Sequence, residues 1–331
     1  MMKINKSKHL LKSMPMKRRN FIKIAAAGGA VLQFPEVLSM YEKLGKNAIP
    51  RRSLGKTGEK LSIVGFGGIA LRNNGQEFAN ELIPRAFNSG INYFDVAPGY
   101  GDAQELMGPP LKPYRKKVFL ACKTGKRDRE GAEEELHESL RLLKTDHFDL
   151  YQLHAMSKME DVDKVLGPGG AMETFIRAKQ DGKVRYLGFS AHNEEVALAL
   201  IKNFDFDSIL YPINCVCWNN GNFGPQVFKA AREKDMGVLA LKAVAKTRVA
   251  RDERPYPNMW YEPFGTDEEV NRGLQFTLSK DLTATVHAGD SLFMKKTLDF
   301  IVANKKIDTP DPESIRQMID GVEPIFRHPA T

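Results

Sequence analysis

Eight short apolar runs recur along this chain at regular intervals, each followed by an amphipathic stretch, and this alternation restricts the fold more than any other feature. The runs fall at residues 63–67, 92–96, 118–123, 148–154, 184–189, 208–213, 238–243 and 283–286. They are apolar and rich in β-formers, as strands are when both faces of a parallel sheet are covered. Residues 78–88, 103–111, 132–144, 172–180, 194–203, 225–234, 267–279 and 291–304 read as the intervening helices. Eight strand–helix units predict an α/β fold, a (β/α)8 TIM barrel in a single domain over residues 48–331. Such a barrel accommodates most of a 331-residue chain without a second domain. An open doubly wound sheet is the competitor. It places a glycine-rich phosphate turn after the first strand, and Gly65-Phe66-Gly67-Gly68 lacks the final glycine at the required offset. Residues 51–61, centred on Thr57-Gly58, read as a hairpin closing the barrel floor.

The formal net charge of +8 belongs to one end of the chain. Residues 1–50 hold ten Lys or Arg against Glu36 and Glu42, and the remainder carries 39 bases and 39 acids. A neutral body offers little counterion release, so nucleic acid is not an expected partner. The basic segment ends in Lys17-Arg18-Arg19-Asn20-Phe21-Ile22-Lys23 and leads into a mildly apolar run over residues 24–34. That run is too short for a stable membrane span. Basic, then apolar, then polar is the order of an export signal, and the paired arginines resemble a twin-arginine signal. Residues 1–47 are therefore expected to be signal and linker, with the Tat export machinery as partner and the periplasm as destination. A cytoplasmic protein, or one anchored by an uncleaved leader, is the alternative. The three cysteines, Cys122, Cys215 and Cys217, provide no disulfide framework.

In a parallel barrel the chemistry sits at the C-terminal ends of the strands. Three neighbouring strands end in ionisable groups: Asp95 on the second, Lys123 on the third and His154 on the fourth, with Tyr100 in the loop after Asp95. Singly, each has an ordinary explanation as a turn cap, a solvated cation or a packed core histidine. Together they form a device for perturbing a titratable group. A phenol titrates near about 10 and is a poor acid at neutral pH. A neighbouring ammonium stabilises its phenolate and is expected to lower the tyrosine pKa. Asp95 would hold Lys123 charged and aimed, and His154 would hydrogen-bond a substrate oxygen. The hydride must come from a nicotinamide, because no side chain supplies one.

These residues lie in segments that resemble the aldo-keto reductase family: Phe94-Asp95-Val96-Ala97-Pro98-Gly99-Tyr100-Gly101-Asp102, Glu138-Ser139-Leu140-Arg141-Leu142-Leu143, Asp149-Leu150-Tyr151-Gln152-Leu153-His154 and Gly182-Lys183-Val184-Arg185-Tyr186-Leu187-Gly188-Phe189-Ser190. The resemblance runs from about residue 51 to about residue 300. It implies a catalytic tetrad of Asp95, Tyr100, Lys123 and His154 and a cofactor of the NADP type, with NAD also possible. It places Ser190 against the nicotinamide carboxamide and Asn214 after strand six among the cofactor contacts. Lys242 stands where the family commonly has Ser-Pro-Leu and would meet the pyrophosphate. Gly289, at the start of the last barrel helix, could receive phosphate through backbone N–H groups. Lys295 is a candidate for a 2′-phosphate, or a plain surface charge.

Cys215-Val216-Cys217 has no second pair or histidine cluster beside it in sequence, so no metal site is expected. Trp218, after strand six, and Trp260, in the aromatic loop over residues 244–266, are candidates for the substrate wall. The sequence thus points to an NAD(P)H-dependent reductase of a small-molecule carbonyl. The alternatives are a catalytically weak nicotinamide-binding sensor or accessory subunit, and a metal-assisted hydrolase built on Asp95 and His154.

Overall fold

The computed structural model describes residues 49–304 and 306–329, so the expectations for residues 1–47 lie outside the described residues. The strands, in chain order, are β1 Arg51–Ser53, β2 Lys60–Ser62, β3 Val64–Gly67, β4 Tyr93–Asp95, β5 Phe119–Thr124, β6 Phe148–Met156, β7 Val184–Ala191, β8 Ser208–Pro212, β9 Gly237–Leu241, β10 Ala245–Arg248, β11 Tyr261–Pro263 and β12 Ala284–Val286. Strands β3 to β9 and β12 close on one another in sequence order, all parallel, with β12 pairing both β9 and β3. This is the barrel the eight apolar runs imply. No helix among the described residues is long and apolar enough to cross a membrane.

The period-two alternation of a strand decides what lines the interior. Tyr93, Phe119, Ala121, Leu150, Leu210, Leu239 and Ala284 pack together as an inner cluster, while Phe94, Leu120, Cys122 and Tyr151 face outward into the helix layer. The same alternation carries the inner face upward from Tyr93 to Asp95 and from Ala121 to Lys123. Below, the β1–β2 hairpin closes the N-terminal end. Leu54 and Leu61 join the inner cluster, and the Lys56 N–H donates to the Asp235 carbonyl at 2.9 Å. A Cβ on Gly237, at the foot of β9, would collide with the Leu54 side chain, so this close approach requires glycine.

Several elements were not legible as periodic runs. Helices Met159–Leu166 and Pro312–Ile319 lie outside the eight repeats, and the antiparallel pair β10–β11 forms an arm after β9. Residues 215–219 form a short helix that the sequence reading did not assign, and Asn214 Oδ1 accepts the Cys217 N–H at 2.8 Å and caps it. All three cysteines are buried free thiols.

Candidate active site

A cavity of about 280 Å³ opens at the C-terminal ends of the strands, at the small end of the range for ligand pockets. Its wall includes Asp95, Tyr100, Lys123, His154, Ser190, Leu210, Leu241, Lys242, Trp260, His287 and Gly289. Four expected residues from β4, β5, β6 and the loop after β4 therefore meet in one place. Lys123 is fully buried, and its Nζ donates to Asp95 Oδ1 and, at 3.2 Å, to the Val96 carbonyl. The Tyr93 hydroxyl donates to Asp95 Oδ2 at 3.2 Å, so both carboxylate oxygens are engaged. Burial pulls the Lys123 pKa down, but Asp95 and Tyr100 outweigh it and hold the ammonium charged.

Lys123 Nζ stands 5.5 Å from the centre of the Tyr100 ring, and the His154 ring meets the same ring edge-on at 5.7 Å. The expected lowering of the tyrosine pKa does not result. Burial raises Tyr100 above its ordinary value, and the opposing pull of Lys123 only moderates the rise. Tyr100 is thus a phenol, still protonated, at neutral pH. His154 is driven down to about 3 by burial and then by Lys123, Arg127 and Lys242, so it is a neutral imidazole.

A bulge in β6 sets the direction of His154. The β6–β7 register shifts between Leu153 and Met156, and Ala155 adopts a left-handed φ of 54°. The Ala155 N–H donates to Ser190 Oγ at 2.8 Å, which ties the bulge to β7. Ser190 lies on the cavity wall beside it, so one hydroxyl both fixes the bulge and faces the site.

The remaining expected residues divide. Lys242 lies on the wall directly after β9, with a left-handed φ of 63°, and its Nζ is 3.2 Å from His192 Nε2. Trp260 is also on the wall, as the aromatic loop suggested, accompanied by Arg254, Pro257, Asn258, Met259 and Tyr261. Gly289 lies on the wall too, where a Cβ would come within 2.8 Å of the Asn258 carbonyl. The helix Ser291–Ala303 that follows carries its own anion, because Asp290 accepts the Leu292 N–H at 2.8 Å. An acidic cap disfavours phosphate at that turn.

Three residues are not brought to the cavity. Asn214 is fully buried, with its Oδ1 taken by the helix cap and its Nδ2 without a hydrogen-bond partner, and it does not line the cavity. Lys295 pairs with Asp299 one turn along its own helix at 2.6 Å. Trp218 faces away, edge-on to Phe228 and Phe276, with Lys280 Nζ 3.9 Å above its ring. Its place on the capped 215–219 helix turns it toward the outer helices instead of the mouth. Residues that the sequence did not single out complete the wall, among them Arg72, Arg254 and His287. Phe326 stacks on His192 at 5.2 Å from the tail of the chain, where no strand-end pattern points.

A nicotinamide cofactor would meet a wall of mixed character here. Leu210 and Leu241 are apolar surfaces suited to a ring, next to the Ser190 hydroxyl. Arg254 Nε and His287 Nε2 are buried without a protein partner, and the wall carries Arg72, Lys123, Lys242 and Arg254 against the single carboxylate of Asp95. His287 donates from Nδ1 to the Ala288 carbonyl, so its Nε2 is an open acceptor, while Arg254 Nε is an open donor. Apolar faces beside these and an excess of positive charge fit an anionic, ring-bearing ligand. Among the described residues, no group of three or more His, Cys, Asp or Glu stands together as metal ligands do.

A closed parallel barrel with its ionisable groups gathered at the C-terminal mouth has the architecture of an α/β-barrel enzyme. The family model described as the aldo/keto reductase family matches residues 63–288, and the chain belongs to that family of NAD(P)-dependent oxidoreductases. An uncharacterized oxidoreductase of Bacillus subtilis (strain 168) is 32% identical over 174 residues, covering 48% of this chain and 55% of the relative. The L-galactose dehydrogenase of Arabidopsis thaliana is 30% identical over 158 residues, covering 43% of this chain and 48% of the relative. The chain thus spans about half the length of these two curated relatives. In fold, the holo form of an aldo-keto reductase from Bacillus halodurans superposes with a TM-score of 0.64 at 23% identity, covering 85% of this chain and 98% of that one.

Proposed function

We propose that the protein reduces an aldehyde or ketone to an alcohol, with hydride from NAD(P)H and the proton from Tyr100. The observation that carries this reading is the buried Asp95–Lys123 pair set against a protonated phenol at the barrel mouth. When bound, the reduced nicotinamide supplies the hydride. Tyr100 delivers the proton from its hydroxyl to the carbonyl oxygen. Lys123 then lies beside the phenolate that forms and offsets its charge, while Asp95 and Tyr93 keep the ammonium in place. His154, neutral over the working pH range, donates a hydrogen bond that orients the same oxygen. Ser190, Leu210 and Leu241 would hold the nicotinamide end.

NADP is the expected form of the cofactor, by family resemblance. Titrating the full chain with NADPH and NADH by fluorescence, then adding a panel of carbonyls, tests the reading. Tight binding followed by oxidation on adding a carbonyl is the expected result and ranks the two cofactors. Binding without turnover favours the sensor or accessory-subunit reading, which the acidic cap at Asp290 and the occupied Lys295 support. Failure to bind either cofactor contradicts both readings.

The leader adds a separate proposal, that residues 1–47 direct the folded protein to the periplasm by the twin-arginine route. Changing Arg18 and Arg19 together to Lys is expected to stop export, and undiminished periplasmic recovery would contradict it.

A further inference from the structure

Among the described residues, Lys242 is the one half-buried cation on the cavity wall that is met by a histidine and aromatic rings, with no carboxylate in an ion pair with it. Asp95, the only carboxylate on that wall among the described residues, is already engaged by Lys123 and Tyr93. Lys242 Nζ donates to His192 Nε2 at 3.2 Å and lies 5.6 Å from the Trp260 ring centre and 5.7 Å from that of Phe326. His192 stays neutral, because burial, then Lys242 and His154, drive its pKa well below the usual histidine value. It therefore serves as acceptor for one of the three ammonium donors and leaves the others available. The seat is rigid: the His192 ring is stacked on Phe326, and Phe326 in turn on Phe223 at 5.1 Å.

The position of this cation matters as much as its isolation. Its field reaches His154, whose pKa it helps to depress, so the ammonium adjoins the corner where a carbonyl would react. Arg72 and Arg254 add positive charge to the same wall. We propose that Lys242, seated on His192, binds an anionic group of the substrate, so that the substrates are short oxo acids, carbonyl compounds carrying a carboxylate or phosphate near the reacting carbon. This rests on the reductase reading and narrows it. A substrate anion engages the donors that the protein leaves open on this half-buried ammonium, whereas a neutral carbonyl gives them no charged partner. The competing source of the anion is the cofactor pyrophosphate.

The site also has a signature in pH. Burial holds Lys242 down to about 7, with Cys217 opposing. His154 is near 3, His192 lies lower than its ordinary value, and burial pushes the Cys217 thiol up. An anion selects the protonated amine, so its binding takes up a proton and strengthens as pH falls through about 7.

The test uses the two tryptophans of the chain. With Trp218→Phe, Trp260 alone reports from beside Lys242. Malonate and succinate, which cannot be reduced, are titrated at constant ionic strength with cofactor present. The expected result is saturable quenching, at least fivefold tighter at pH 6 than at pH 8.5. Lys242→Met should abolish it, and Lys242→Arg should retain binding without the pH dependence, because a guanidinium stays charged. In turnover, Lys242→Met should lower the preference in kcat/KM for 4-oxobutanoate over butanal at least thirtyfold, while the NADPH Kd moves less than threefold. A Kd for NADPH that weakens as much as that preference would assign Lys242 to the cofactor and overturn the proposal. Absent or pH-independent quenching in the parent protein would overturn it as well. Anion binding of the expected kind with no carbonyl reduced would sink the reductase reading alone. Reduction of butanal without anion binding would sink only the oxo-acid assignment.

Discussion

Lys123 and Lys242 face the same cavity, the first fully buried and the second half-buried, and they end in opposite electrostatic states. Lys123 has a carboxylate on its Nζ and a phenol beside it, and its pKa rises despite full burial. Lys242 has a neutral imidazole and two aromatic faces, and its pKa falls to about 7. The partner, and not the depth, decides whether a buried amine remains an ion. One mouth thus combines a fixed charge suited to stabilising a phenolate with a second cation that responds to what binds. This contrast can be broken from either side.

The largest effect is expected at the fixed end. Tyr100→Phe should lower the single-turnover reduction rate by about 10²–10⁴-fold, the usual contribution of a positioned general acid. Cofactor affinity should stay within about threefold, and retained full activity would remove Tyr100 from the chemistry. Next comes Lys123→Met, which strands Asp95 inside the barrel. Breaking a buried pair from one side costs about 3–5 kcal/mol, read as a lower urea midpoint, and the double variant Asp95→Asn/Lys123→Met should recover much of it. Unchanged stability in the single variant would mean that the pair is not closed in solution.

Smaller effects sharpen the responsive end. The folded pKa of Lys242 lies below that of an unfolded lysine, near about 10.4, so between about pH 7 and 10 the unfolded chain holds more protons. Stability contributed by this group therefore rises with pH in that window. From pH 7 to 9 the parent should gain about 1–2 kcal/mol relative to Lys242→Met in urea unfolding. Parallel curves for the two would place a counter-charge at Lys242. The smallest effect is expected from Trp218→Phe, which should leave reduction within about twofold, since this residue packs on Phe228 and Phe276 away from the mouth.

The barrel was legible in the sequence because parallel strands covered on both faces leave uninterrupted apolar runs. The convergence of Asp95, Lys123 and His154 on one cavity was legible because they fall near strand ends, and strand ends converge in a closed barrel; Tyr100 comes with them from the loop after β4. Position beside a strand does not fix direction, however. Trp218 follows β8 as Lys242 follows β9, six residues past its strand where Lys242 is one, yet the Asn214 cap winds its segment into a helix and turns the ring outward. Phe326 illustrates the opposite failure. It reaches the back of the site from beyond the helix Pro312–Ile319, with no periodicity linking it to the mouth. The tyrosine pKa was misread for a third reason: the Lys123 attraction can be inferred from adjacency, but the opposing desolvation is known only once the whole mouth is assembled.

The central claim, that Tyr100 donates the proton beside a neutral His154, is tested most directly by the pH dependence of single-turnover reduction of a neutral carbonyl by the cofactor-loaded enzyme. The rate should be level from pH 5 to 9 and fall only in the alkaline range where the raised phenol ionises, because His154 titrates near 3. A fall in rate centred near pH 6.5 as pH rises would make a protonated histidine the donor and contradict the account.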